Sequence, residues 1–357
     1  MTNLFKKAHL TLTALLLTWA IQADAAPNGS IGQPCIDPSC CPPICCEPPC
    51  CGKAFASIDL LYWRAFQGGL NDCFPIENED YISSGGNVIS TFKGDGKDPH
   101  FNWDAGFRIG TGYAFGTGWD IAAFWTHFHS ESKQNQGRDQ KLHWKLDFNV
   151  LDLVAGRAFD VGSCFAARPF FGLRAVRIEE KLRLKNDGRQ SAYGDSSDSY
   201  FNRFDSYIGF DRNSYLNSSS QTFDNHDDFR RAKGHAKNKL MGVGPLIGVE
   251  GDWRLGCGFS LYANASVAVL YGNFRLHFHQ SEEFTDGADL CEIKRKTQAC
   301  QAVADLGLGI RWETCVCQSL VWLQLGLEHH RYFNQNRFGD YGDLCLDGAN
   351  FSAGFAF

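Results

Sequence analysis

From Phe55 onward, apolar and polar residues alternate with a period of two. The clearest run is Phe101 to Phe115. Phe101, Trp103, Ala105, Phe107, Ile109, Thr111, Tyr113 and Phe115 share one parity; Asn102, Asp104, Gly106, Arg108, Gly110, Gly112 and Ala114 share the other. Successive strand side chains point to opposite faces, so this run predicts a strand with one apolar face and one small, polar face. Ala302 to Trp312, Val321 to Leu327 and Met241 to Val249 read the same way. Pro245 is a blemish in the last, because proline removes a ladder hydrogen bond. Two stretches change parity midway. Leu142, Trp144, Leu146, Phe148 and Val150 are even, then Leu151, Leu153 and Ala155 are odd; Leu261 to Tyr271 are odd, then Phe274, Leu276 and Phe278 are even. One inserted residue does this to a strand, so bulges are expected near Val150 and Asn273.

Ten strands follow, near 55–66, 101–115, 118–130, 141–159, 165–185, 238–254, 258–278, 299–313, 319–333 and 348–357. The connections at 116–118, 160–164, 255–257 and 314–318 are tight, whereas 67–100, 131–140, 186–237, 279–298 and 334–347 are longer and polar. Short turns at one end and long loops at the other are the pattern of a transmembrane, antiparallel, up-and-down β-barrel, and they put both chain ends on the periplasmic side. A further hairpin around Tyr200 to Tyr215 would raise ten strands to twelve. A soluble β-sandwich also alternates, but packs a core of Val, Ile and Leu. Here the second face is rich in glycine and charge. Trp63, Tyr113, Trp119, Trp125, Trp144, Trp253, Tyr271 and Trp312 lie near strand ends, the placement of aromatic girdles at two membrane interfaces.

The amino-terminal region stands apart. Lys6 and Lys7 precede a short apolar run, Leu10 to Ile21, and Ala23-Asp24-Ala25 supplies small residues for cleavage. Residues 1–25 are therefore expected to be a secretory signal. Beyond it, no stretch approaches the length of a membrane helix. Residues 26–53 hold Cys35, Cys40, Cys41, Cys45, Cys46, Cys50 and Cys51 among seven prolines, which exclude a helix or an interior strand. An extended periplasmic tether is expected there, before a barrel over 54–357. Fifteen cysteines with a secretory signal point to disulfides in an oxidising compartment. The number is odd, so one thiol stays free or pairs with another chain. The net charge of −6 is mixed along the chain and offers no basic stripe for nucleic acid.

Two segments resemble a known family. Phe55-Ala-Ser-Ile-Asp-Leu-Leu-Tyr-Trp-Arg-Ala-Phe66 with Gly69-Leu70 resembles the first strand of the Legionella-type pore-forming major outer membrane proteins, which also occur in chlamydia-related bacteria. Ala349 to Phe357, ending in Phe with Phe355, Ala353 and Phe351 before it, resembles the outer-membrane assembly signal. The resemblance implies a porin for small hydrophilic solutes in a Gram-negative outer membrane, with Phe357 read by the barrel assembly machinery. The Cys-rich leader departs from the Legionella pattern and resembles the cysteine-rich, cross-linked envelopes of chlamydial organisms.

A lipid-facing charge costs about 2–4 kcal/mol at mid-membrane, so strand charges are expected to point into the barrel. The candidate pore-lining residues are Asp104, Arg108, Lys145, Asp147, Arg174, Arg177, Glu250, Arg275, Asp305, Arg311 and Glu328, with Asp59, Asp120 and Asp152 beside them. Both signs occur, so weak ion selectivity is expected. A nearly closed barrel braced by these charges is the plainer alternative, leaving a structural or adhesive protein with little conductance. Cys164, Cys257, Cys315 and Cys317 fall at periplasmic turns beside the seven leader cysteines, and disulfides are expected of this set, either to other copies or other cysteine-rich envelope proteins or as bridges within the chain alone. Cys73, Cys291, Cys300 and Cys345 fall in the outer connections. The leader lacks Cys-x2-Cys spacing, so no metal and no cofactor is expected. His127 and His129, like His277 and His279, share one face near the outer rim, as polar rim residues. No motif selects a nucleophile with its base, so no enzymatic activity is expected.

Overall fold

The computed structural model describes residues 52–68, 78–82, 88–92, 101–136, 140–186, 229–284, 288–316, 319–336 and 342–357. Ten long strands are the staves of a closed barrel: β1 (Lys53–Gln67), β4 (Trp103–Ala114), β5 (Trp119–Gln136), β6 (Gln140–Arg157), β8 (Phe165–Asn186), β9 (Phe229–Gly256), β10 (Phe259–Phe284), β11 (Ala288–Val316), β12 (Ser319–Asn336) and β13 (Gly342–Ala356). β2 (Asn78–Ile82) and β3 (Val88–Phe92) form a separate hairpin, and β7 (Phe159–Val161) is a short strand laid on β8. Around the ring the staves run β6-β5-β4-β1-β13-β12-β11-β10-β9-β8, and β8 pairs back onto β6. Closure gives every stave two neighbours, which is what a backbone in lipid requires.

The ten sequence-predicted strands all appear. Their inner ends are tight turns that glycine makes accessible: Gly258, at φ 79°, follows Cys257, at φ 53°, between β9 and β10. At the other end the expectation of long loops fails twice. β5 and β6 continue to Gln136 and Gln140, and β10 and β11 to Phe284 and Ala288, so residues 131–140 and 279–298 are mostly strand. The Tyr200 to Tyr215 hairpin, the signal and the tether lie outside the described residues.

The expected bulges are also absent. β6 keeps one register with β5 from Trp119↔Arg157 to Gln136↔Gln140, and β10 keeps one register with β11 throughout. The parity switch has another cause. Along β6, even residues point inward from end to end, so Trp144, Leu146, Phe148 and Val150 are buried inside the barrel while Leu151 and Leu153 are exposed outside. Along β10, Leu261, Val267, Val269 and Tyr271 face out, whereas Leu270, Phe274, Leu276 and Phe278 are buried within. The strand does not turn over; the solvent around it changes.

Each stave thus has two levels. On the periplasmic half the outside is apolar: Phe165, Phe171 and Leu173 on β8, Met241, Val243, Ile247, Val249 and Trp253 on β9. Such exposed rows on a closed barrel are a lipid-facing band. On the outer half the same parity carries Arg177, Lys181 and Arg183 on β8, Lys237 and Lys239 on β9, and Arg275, His277 and His279 on β10. There the barrel stands in water and inverts, polar outside and apolar within. Tyr113, Trp119, Trp253 and Trp312 mark the lower edge of the band, and Tyr62, Trp103, Trp125 and Tyr271 the upper. Trp63 and Trp144 are not girdle residues, being 1% exposed inside the barrel.

Candidate functional site

The interior has two storeys to match. Within the lipid band lies a cavity of ≈ 550 Å³. It is lined by eight carboxylates (Asp59, Asp120, Asp152, Glu250, Asp252, Asp305, Glu313, Glu328) against four arginines (Arg108, Arg168, Arg174, Arg311). All four arginines are paired. Arg168 binds Asp120 at 2.7 Å and Glu250 at 3.0 Å; Arg311 binds Asp252 at 3.1 Å and donates to Gln324 at 3.1 and 3.2 Å.

Above these, one continuous chain crosses the lumen. Arg108 on β4 donates to Asp59 on β1 at 3.1 Å and grips both oxygens of Glu328 on β12 at 2.9 and 3.0 Å. His330 stands between Glu328, at 3.3 Å, and Asp305 of β11, at 2.8 Å. Arg174 of β8 closes the chain, at 2.5 Å from Asp305 and forked onto Asp152 of β6 at 2.7 and 2.8 Å. Buried ions persist only when paired and hydrogen-bonded, and Arg108, Glu328, His330, Asp305 and Arg174 each have at least two partners. Tyr262 spans the wall beneath, over Gly309 and Gly326, to reach Asn350 at 3.3 Å. A Cβ on Gly326 would stand 1.9 Å from the Tyr262 hydroxyl, so glycine is what makes room.

Over the ionic chain sits an apolar core. Trp63 packs on Phe128 and on His330, with ring centroids 5.5 and 4.7 Å apart. Phe148 of β6 meets Tyr332 of β12 edge-on at 5.4 Å. Counted either way round the ring, β6 and β12 are five staves apart, so this contact joins opposite walls. Leu146, Ile178, Leu240, Leu270 and Phe278 are fully buried around it.

Of the sequence-predicted lining residues, Arg108, Arg174, Glu250, Asp305, Arg311 and Glu328 border the cavity, with Asp59, Asp120 and Asp152. Asp104 points inward higher up, opposite Trp63, with one carboxylate oxygen unpartnered. Lys145, Asp147, Arg177 and Arg275 are corrected: they lie on the outer surface above the band, where water makes a charge cheap. Lys145 binds Glu131, Asp147 binds His129 at 2.7 Å, and Arg177 reaches Glu179 at 3.8 Å. Arg168, Asp252, Glu313 and His330 were missed, although each shares parity with a residue that was chosen. His127, His129, His277 and His279 do share outward faces; among the described residues no group of side chains is arranged to hold a metal.

Cys164 and Cys315, at two of the short periplasmic turns, are disulfide-bonded. Cys300 and Cys345 are free thiols on outward faces of β11 and β13, not in loops. Cys35, Cys40, Cys41, Cys45, Cys46, Cys50, Cys51, Cys73 and Cys317 lie outside the described residues. Phe357 is paired with Ala54 through both backbone groups, at 2.9 and 3.0 Å.

The family model described as the Legionella pneumophila major outer membrane protein precursor matches residues 48–354. No curated protein sequence matches the chain. Among solved structures, the chain is similar to the outer membrane protease OmpT of Escherichia coli at 13% identity, covering 85% of this chain and 96% of that one, with a TM-score of 0.38. It is also similar to the translocator domain of the autotransporter NalP of Neisseria meningitidis, at 10% identity, 87% and 89% coverage and a TM-score of 0.33. A Pseudomonas aeruginosa FadL homologue matches at 10% identity, 86% and 90% coverage and a TM-score of 0.31.

Proposed function

The chain belongs to the family of the Legionella pneumophila major outer membrane protein and crosses the outer membrane many times; from that premise we propose that it is a constricted porin for small hydrophilic solutes, cations ahead of anions. The observation that carries the reading is the charged cavity inside the lipid band. Eight carboxylates outnumber four arginines there, and rings of acidic side chains favour cations. The constriction is the Phe148–Tyr332 contact and the ionic chain beneath it, so passage requires these to part. In planar bilayers the full-length protein is expected to give small, infrequent steps, with a reversal potential on the cation side in a KCl gradient. Phe148→Ala combined with Tyr332→Ala is expected to enlarge them. No steps from either protein would overturn the porin reading.

A second reading is favoured by the same cross-lumen contact: a structural envelope protein with little conductance. The disulfides at the periplasmic turns suit either reading. Under both, we propose that leader cysteines and Cys317 link the barrel to other copies or to other cysteine-rich envelope proteins, and that the assembly machinery reads Phe357. Electrophoresis of cell envelopes with and without reductant tests the links; an identical monomer band in both would exclude them.

A further inference from the structure

Directly above the lipid band, on β8 to β11, cations face cations across the ladder. Lys239 is in register with Arg275, and Arg275 with Lys296. Two residues higher, Lys237 faces both Lys181 and His277, and His277 faces Lys294. Like charges directly opposite one another weaken a sheet, so the arrangement calls for an opposing charge. Two carboxylates meet part of it. Glu179 takes Lys181 at 2.9 Å and Lys237 at 2.8 Å, and Glu292 takes Lys294 and His277 at 2.8 Å each. In the lower row, Lys239 stands in register with Glu179 on its β8 side without an ion-pair contact, and Arg275 and Lys296, both exposed, have no ion pair with any described residue. On the outer surface of β5 and β6 the charges are matched, as Lys145 and Lys133 are by Glu131.

We propose that this face binds the phosphate groups of the glycolipid in the outer leaflet. Two observations point to lipid over a soluble anion. The row begins where the apolar surface ends: Met241 and Tyr271, both exposed, lie two and four residues below Lys239 and Arg275 on the same faces. A lipid whose chains lie on β9 and β10 therefore brings its headgroup to the row. The charge is also one-sided, as binding to an anionic leaflet requires.

The test is native mass spectrometry of the full-length protein in neutral detergent with diphosphoryl lipid A or its dephosphorylated form. The phosphorylated form is expected to bind at least roughly tenfold more tightly, as several near-surface cations add together. Lys239→Gln, Arg275→Gln and Lys296→Gln combined are expected to abolish that preference, while Lys133→Gln with Lys141→Gln on β5–β6 leave it intact. Relief of like-charge repulsion should keep or raise the variant's melting temperature without lipid, so lost binding is separable from lost folding. Equal binding of both lipids by the wild-type protein overturns the proposal. So does equal loss in the β5–β6 control.

Discussion

An arginine moved along the outer face of β10 should report where lipid gives way to water. The outward apolar residues run from Phe259 to Tyr271, so Ala265 is central. A strand rises about 3.3 Å per residue. Tilted about 40° in a band about 25 Å tall, it climbs about 2.5 Å of depth per residue, against a half-height of about 12.5 Å. Val267 then lies about 5 Å from the midplane, Tyr271 about 15 Å and Asn273 about 20 Å. Val267→Arg should cost about 2–4 kcal/mol, Tyr271→Arg about 0–1 kcal/mol, and Asn273→Arg nothing measurable. Urea unfolding in lipid vesicles, followed by tryptophan fluorescence, gives the three values. The reasoning fails if Asn273→Arg costs as much as Val267→Arg, because the parity switch would then not mark the membrane surface.

Three further outcomes test the interior and the outer rim. Arg108→Met strands Glu328 and Asp59, and breaking a buried pair costs about 3–5 kcal/mol; unfolding midpoints should show this, with part recovered on adding Glu328→Gln. Gly326→Val drives a branched side chain into the Tyr262 hydroxyl and should cost about 1–3 kcal/mol, less in a Tyr262→Phe background. At the water-exposed end of β5, Glu131 is held down to about 2 from 4.5, chiefly by its hydrogen bond from Lys145, with His143 and His129 assisting. A lowered carboxyl stabilises the fold above its unfolded pKa and loses that contribution as pH falls through the folded one. The protection of amides at the β5–β6 tip, with the intrinsic pH dependence of exchange divided out, should therefore fall between about pH 4.5 and pH 2, and Glu131→Gln should flatten that fall; a variant profile identical to the wild type would refute it.

The ten staves were legible because period-two alternation survives in both solvents. The lumen side of Arg108 and Glu328 followed from it. What the alternation could not show was which face is inside once lipid ends. Trp144, Leu146 and Phe148 keep the period, but their apolar row is the inner one, so the change looked like an insertion. Lys145, Asp147, Arg177 and Arg275 were assigned to the lumen on the premise that every strand charge lies at membrane depth. The tips of β5, β6, β10 and β11 were read as loops for the same reason: with both lipid and apolar exterior gone, their composition is that of a loop. Arg168 and His330 were within reach, since Arg168 lies six residues from Arg174 and His330 two from Glu328, on the same faces. The pairing of Phe148 with Tyr332 across the ring was not, because it depends on strand number and closure together.

The seam between β1 and β13 carries a consequence for biogenesis. Phe55 stands in register with Ala356, and Gln67 with Leu344, so the first stave made waits for the last. Until then both must present a bare row of amides and carbonyls, the template on which stray chains add. Those two rims have to stay covered until the barrel closes. A ribosome that stops short of β13 should yield aggregates rather than a smaller, open sheet.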